Sequence, residues 1–135
     1  MKVFSLDFLN SLSDIEKGFY LFLIKNIVEN QSEETFYEVR ISKLPENLKV
    51  VFEDKSVLIK VVSSLRYIDV KWRVDEKGRE VIYDASLIGS WQISTESEGG
   101  LSLRYSVPEL LLTALFEEQC SEKLQTLLRS IYSKE

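Results

Sequence analysis

The chain has 135 residues and a net charge of −5, and its 44% hydrophobic and 29% charged residues predict one globular domain with its own core. It has no histidine and one cysteine, Cys120, which excludes His-based catalysis, an internal disulfide and multi-cysteine metal sites. We therefore expect no enzyme, catalytic residue, metal or cofactor. No run of eighteen apolar residues and no signal peptide is present, so we expect a cytoplasmic protein without a membrane partner.

The N-terminal part of the chain predicts an arm, a helix and a strand. Residues 1–12 are rich in large apolar side chains but have no clear period, so they fit a short strand, an irregular arm or a segment that packs on a partner. Ser13 and Glu16 form a capping box, which predicts a core helix from about Asp14 to Asn30. The alternation from Thr35 to Ile41 predicts a short strand.

Two further helices are predicted before residue 67. Pro45 favours a first helical turn and indicates a short helix that ends near Lys49, with Val50–Glu53 as a connection. Asp54 can cap the next helix, in which five apolar residues form a stripe of 3.6-residue period. That stripe consists of Val57, Leu58, Val61, Val62 and Leu65.

A period of two follows directly and predicts a long hairpin. Ile68 to Val74 alternates, Asp75–Arg79 is the predicted turn, and Glu80–Ser94 is the predicted second arm. The order of helix, strand, helix, helix and hairpin is typical of a winged helix, with the Asp54 helix in the recognition position. We therefore predict an α+β fold, a winged helix-turn-helix with a long β-hairpin wing and extra C-terminal helices, as a single domain over residues 1–135.

The C-terminal third predicts a turn, a strand and two helices. Thr95–Gly100 is a hairpin turn, and Leu101–Val107 alternates as a strand. Pro108 opens a helix that continues through Phe116, and Ser121 begins the last helix.

The charges are distributed unevenly along the chain. Residues 40–79 hold ten basic and six acidic residues, a balance of +4, whereas the remainder holds 7 basic and 16 acidic residues. This asymmetry predicts the main basic surface on the Asp54 helix and the hairpin, where DNA phosphates would bind. A mixed solvent-exposed surface is the alternative interpretation. The candidate DNA-binding residues are Lys55, Ser56 and Lys60 on the helix, and Arg73, Lys77 and Arg79 on the hairpin.

Four short motifs are spread across the chain. The first is the helix start Leu12–Lys17, and the second is Trp91 with the Glu98–Gly100 turn and the strand after it. The other two are the Ser106–Leu111 helix start and the Leu128–Ser133 element. Together they resemble the N-terminal winged-helix domain of plasmid replication initiators of the iteron-binding Rep family, in which a helix start of the form Leu-Ser-x-x-Glu-Arg/Lys is similar to Leu12–Lys17.

The resemblance implies a replication initiator with two winged-helix domains, of which this chain would be the first. It also implies that this domain forms a homodimer in the repressor form, contacts the backbone of double-stranded DNA, and is remodelled when the dimer dissociates. Host replication proteins are further implied partners. For the dimer interface we consider a sheet edge or the N-terminal arm, with Phe4, Leu6 and Phe8 as candidates that fit a plain core role equally well.

An alternative function uses the same fold without DNA. Winged helices also serve as protein-interaction modules, and a fold does not determine a function. A uniformly acidic surface around the Asp54 helix would favour this alternative.

Overall fold

The computed structural model describes residues 4–30 and 35–132, which form a mixed α+β fold with antiparallel sheets. The helices are α1 (Asp14–Glu29), α2 (Glu46–Phe52), α3 (Lys55–Arg66), α4 (Glu109–Leu115) and α5 (Glu118–Tyr132). The strands are β1 (Tyr37–Arg40), β2 (Asp69–Glu76), β3 (Arg79–Ser86), β4 (Trp91–Thr95) and β5 (Leu101–Tyr105).

The N-terminal arm packs on the chain's own core. Its described part contains a 3₁₀ helix, Leu6–Ser11, so this part is not the short strand considered among the alternatives, while residues 1–3 lie outside the described part. The Phe4 ring meets the edge of Trp72 with centroids 5.2 Å apart, and Phe8 meets Tyr20 at 6.5 Å. The arm therefore covers the junction between α1 and β2.

The predicted core helix is confirmed as α1. The Ser13 hydroxyl accepts a hydrogen bond from the Glu16 N–H at 3.2 Å, and the Glu16 carboxylate accepts one from the Ser13 N–H at 3.0 Å. Most of its central residues are buried, which makes α1 the centre of the hydrophobic core. The short strand predicted within Thr35–Ile41 is confirmed as β1.

The segment predicted as a connection is helical instead. α2 continues through Phe52, so the prediction that Val50–Glu53 is a linker is wrong for its first three residues. Phe52 is fully buried and its ring stacks on Phe19 with centroids 4.2 Å apart. Burial of this large side chain favours another helical turn, which the weak local pattern did not indicate.

The predicted long hairpin is wrong beyond Ser86. β2 and β3 form a two-stranded sheet of their own, and β4 pairs with β5 in a second sheet of order β1-β5-β4. Leu87 and Ile88 are both fully buried, so the alternation stops where the chain passes from one sheet to the other. Gly89 lies so close to Ser106 that a Cβ there would be 2.6 Å from its hydroxyl oxygen.

The C-terminal predictions are largely confirmed. β5 lies within the predicted strand, and Pro108 precedes the first residue of α4. The last helix begins at Glu118 rather than at Ser121, and the Ser121 N–H donates to the Glu117 carbonyl at 2.8 Å. The final residue of the C-terminal motif, Ser133, lies outside the described residues.

Two buried tyrosines connect α1 to both sheets. The Tyr20 hydroxyl donates to the Leu87 carbonyl at 3.0 Å, at the crossover between the sheets. The Tyr105 hydroxyl donates to the Leu23 carbonyl at 2.6 Å and accepts from the Asn26 amide at 3.1 Å. Burial raises the pKa of both phenols, which remain neutral donors at physiological pH.

We predict that Tyr105→Phe destabilises the fold, whereas Tyr67→Phe does not. Removal of the Tyr105 hydroxyl deletes one buried and one partly buried hydrogen bond, for an expected loss of about 1–2 kcal/mol in the free energy of unfolding. Tyr67 is 82% exposed and serves as the matched control. Urea denaturation measures both variants. Equal stabilities would show that the Tyr105 hydroxyl does not anchor β5 to α1.

Candidate nucleic-acid interface

The capping of α3 and its buried stripe fix which face of this helix meets solvent. The Asp54 carboxylate accepts a hydrogen bond from the Ser56 N–H at 2.9 Å, which confirms the predicted cap. Leu58, Val62 and Leu65 are fully buried. The opposite face, which carries the predicted polar residues, is therefore turned away from the core.

The exposed face of α3 is cationic. The helix contains Lys55, Lys60 and Arg66, all exposed, and no acidic residue. Its remaining exposed or half-exposed polar residues are the serines Ser56, Ser63 and Ser64. The structure thus places the predicted helix residues on one face of α3 and adds Arg66 to them. The helical period could have indicated Arg66, because it lies on the same side of the helix as Lys55.

α2 and α3 form a compact helix pair beside the three-stranded sheet. Only Glu53 and Asp54 separate the two helices, which pack on each other. The Lys55 ammonium lies 3.4 Å from the Thr95 hydroxyl, which places the start of α3 beside the end of β4. The turn between β4 and β5 is therefore near the cationic face.

This turn carries acidic side chains. The Glu96 carboxylate accepts a hydrogen bond from the Ser102 hydroxyl at 2.7 Å, and Glu98 lies 3.7 Å from the Arg40 guanidinium. Gly99 has φ +94°, a conformation that suits glycine. The β4–β5 turn thus adds no positive charge to the α3 face.

The hairpin residues predicted to bind DNA differ in their environments. Arg73 is half-exposed and forms an ion pair with Glu80 at 3.5 Å, and its neighbour Lys71 pairs with Asp84 at 3.6 Å. These carboxylates offset the positive charge on that face of the hairpin. The structure therefore favours Arg73 less than the other candidates as a phosphate ligand.

Lys77 and Arg79 lie at the tip of the β2–β3 hairpin. Lys77 has φ +50° and Gly78 has φ +78°, which is the backbone pattern of a two-residue type I′ turn. Both basic side chains are exposed. Among the strands that the structure describes, β2 and β3 pair only with each other, and β3 packs on α4. The two basic residues therefore belong to a separate element from β4 and β5.

The arm residues proposed for a dimer interface are partly used within the chain. Phe4, Leu6 and Phe8 are half-buried and pack against the core. All three residues therefore contribute to the core of their own chain, which was the alternative to a contact with a partner. Part of each side chain remains accessible to solvent.

The free edge of β4 is a feature that sequence reasoning did not locate. The Glu96 N–H donates to the Gly100 carbonyl and the Ser106 N–H donates to the Ser90 carbonyl. Because hydrogen-bonding residues alternate along an antiparallel pair, Trp91, Ile93 and Thr95 direct their backbone groups away from β5. These three residues form what we call the open edge.

At the opposite edge of the same sheet, β1 is contacted by α1. There the Asn26 side-chain amide donates to the Glu38 carbonyl of β1 at 3.2 Å. β4 is also the one strand of the described five without a charged residue, whereas charges commonly protect strand edges from pairing. The open edge is therefore competent to pair with another strand.

The remaining concave surface and side-chain clusters give weaker support for a functional site. An open groove of about 1060 Å³ between α1, α2 and α5 has apolar side chains such as Leu21, Leu48 and Leu127 and a few solvent-facing charges. Within the described ranges, no group of three or more acidic or cysteine side chains is arranged to hold a metal ion. None of the described helices has the length and apolar character needed to cross a bilayer.

Comparisons with protein families, with curated proteins and with solved structures give no match to this chain.

We predict that Asp54→Ala lowers the free energy of unfolding, because α3 loses its N-terminal cap, whereas Asp54→Asn does not. Alanine removes the side-chain acceptor for the Ser56 N–H, with an expected loss of about 1 kcal/mol in the free energy of unfolding. Asparagine removes the same charge but retains an acceptor oxygen, so it separates capping from electrostatics. Urea denaturation measures the difference, and equal loss in both variants would contradict the capping role.

Proposed function

We propose that this chain is a winged-helix domain of a plasmid DNA replication initiator, which contacts the backbone of duplex DNA through α3 and associates with a second copy of itself. The observation that carries the DNA contact is the exposed face of α3, with three basic residues, three serines and no acid. The plasmid and replication context comes from the resemblance of the motifs.

The order and pairing of the elements support a winged helix with a revised wing. β1 pairs with β5, which pairs with β4 in a hairpin that follows the α2–α3 helix pair. The contact of Lys55 with Thr95 brings that hairpin to the start of α3. In this proposal the wing is the β4–β5 hairpin, and the β2–β3 hairpin is an additional element inserted after α3.

The DNA contact is electrostatic and auxiliary. Lys55 and Lys60 bind phosphates from α3, the Ser56 hydroxyl adds a hydrogen bond, and Lys77 and Arg79 reach phosphates from the additional hairpin. The acidic β4–β5 turn opposes close approach of DNA on one side. The resulting affinity is modest and falls steeply with salt.

The open edge supports self-association with defined geometry. Antiparallel pairing of two β4 strands around Ile93 places Ile93 opposite its own copy, and Trp91 opposite Thr95 of the second copy. Every outward-directed backbone group of β4 then has a partner, and the two three-stranded sheets become one sheet of six strands. Such a twofold interface is self-complementary.

An interaction module without DNA binding is the second candidate function. The acidic β4–β5 turn and the paired charges around Arg73 favour it, because they reduce the basic surface to α3 and one hairpin tip. Measurement of DNA binding distinguishes the two functions.

We predict that Lys55→Gln/Lys60→Gln weakens binding to duplex DNA by more than about tenfold at low salt, because two phosphate contacts are lost. The slope of log affinity against log salt falls in magnitude by about 0.9 for each contact. Fluorescence anisotropy with a labelled duplex measures both quantities.

The matched control is Lys71→Gln/Arg73→Gln, which removes the same charge from residues already paired with carboxylates. We expect a smaller loss from this control, and Lys77→Gln/Arg79→Gln tests the hairpin tip separately. Equal losses from the helix pair and the control pair would indicate nonspecific charge attraction and contradict the assignment of α3.

We predict that Gln92→Lys/Ser94→Lys prevents self-association. In the proposed pairing Gln92 lies opposite Ser94 of the second copy, so the substitutions place like charges directly across the interface. Both side chains are exposed, so the fold tolerates the change. Sedimentation equilibrium across a concentration series measures the dimer.

Two variants test the register of this pairing. Gln92→Lys/Ser94→Glu places opposite charges across the same positions and retains the dimer. Asn10→Lys/Thr113→Lys adds the same charge at exposed positions outside β4 and also retains it. A wild-type chain that stays monomeric at every concentration would contradict the self-association.

A further inference from the structure

The exposed face of α3 has an ordered distribution of side chains. Successive residues of a helix are rotated by about 100°, so Ser56 and Ser63 lie near the middle of the exposed face. Lys55 and Arg66 lie along one border, and Lys60 lies on the other side of the middle, between Ser56 and Ser64. Short side chains in the middle allow the helix backbone to approach a surface closely, while the long cationic side chains reach to both sides.

Ile59 interrupts this polar face. It lies between the serines and the Lys55 border, and 39% of its surface is exposed. The core side of α3 is already filled by Leu58 and Val62, which are fully buried. Ile59 thus presents a branched apolar side chain to solvent between hydroxyl groups and cations.

This pattern matches the chemistry of the DNA major groove. The groove is about 12 Å wide, admits one helix, and is bordered by the phosphates of both strands. Cations on both sides of Ser56 and Ser63 suit the two phosphate rows, and the small hydroxyl side chains suit the base edges between them. The thymine C5-methyl group is the apolar feature of the base edges in this groove.

We propose that Ile59 contacts the thymine methyl group, so that α3 selects duplex sites containing A·T pairs in addition to binding the backbone. This inference rests on the proposed DNA contact of α3 and extends it from phosphate binding to sequence selection. Ile59 is a specificity-determining residue, and the serines beside it leave room for the helix to approach the bases.

The experiment compares two duplexes that differ only in the methyl group. One is an alternating adenine-thymine duplex, and the other has deoxyuridine in place of every thymidine. Fluorescence anisotropy at low salt measures the affinity of the wild-type chain for each. We expect about fourfold tighter binding to the thymidine duplex, the effect of burying one methyl-sized group.

Variants assign this preference to a residue. Ile59→Ala abolishes the preference for thymidine, and Ile59→Val, which keeps a branched apolar side chain, retains part of it. Ile82→Ala is the matched control, because Ile82 is an exposed isoleucine on β3, and it retains the full preference. Urea denaturation of Ile59→Ala verifies that the fold is intact.

The outcomes separate this inference from the proposed function. Salt-dependent binding with equal affinity for both duplexes overturns the role of Ile59 and leaves the backbone contact in place. A thymidine preference that survives in Ile59→Ala also overturns it, because another residue would then read the methyl group. Absence of binding to either duplex overturns both the inference and the DNA contact of α3.

Discussion

The hydrogen bonds from α1 to the two sheets are the constraint on which the rest of the structure depends. The Tyr20 hydroxyl fixes the crossover at Leu87, and the Tyr105 hydroxyl fixes β5 against α1. Asn26 also donates to the Glu38 carbonyl, which attaches α1 to the β1 edge of the three-stranded sheet. β4 forms the other edge of this sheet.

Electrostatics divides the surface into regions with different roles. The chain carries −5 overall, so both DNA and a second copy meet long-range repulsion from most of the molecule. The exposed face of α3 is a local exception, because it has basic residues and no acidic residue. β4 is uncharged, and its proposed pairing uses backbone groups that salt screens weakly. Salt therefore weakens the proposed DNA contact, whereas it favours the proposed pairing of β4 by screening the repulsion between two chains of charge −5.

The exposed face of α3, for which DNA contact is proposed, and the open edge are neighbours. Lys55 on α3 lies beside Thr95 at the end of β4, so a twofold pairing of β4 strands fixes the relative positions of the two α3 helices. Self-association would then determine how far apart two DNA contacts lie. This geometric link is a reason to treat the two proposed interactions as parts of one function.

The sequence by itself determined the elements whose signals are local. The Ser13–Glu16 capping box, the Asp54 cap and the apolar stripe around Leu58 each involve residues within a few positions, and the structure confirms all three. The exposed cationic face of α3 followed from that stripe, because burial of one side of a helix exposes the other. The type of fold, α+β, followed from the same local periods.

The tertiary structure alone decided what depends on distant residues. The Leu87–Gly89 segment ends β3 because it crosses the core under Tyr20, a residue 67 positions away. Strand partners, the ion pair of Arg73 and the hydrogen bond from Asn26 to β1 likewise arise from contacts that no local period encodes. A strand pattern shows that a segment is extended, but only packing selects its sheet and leaves one edge free.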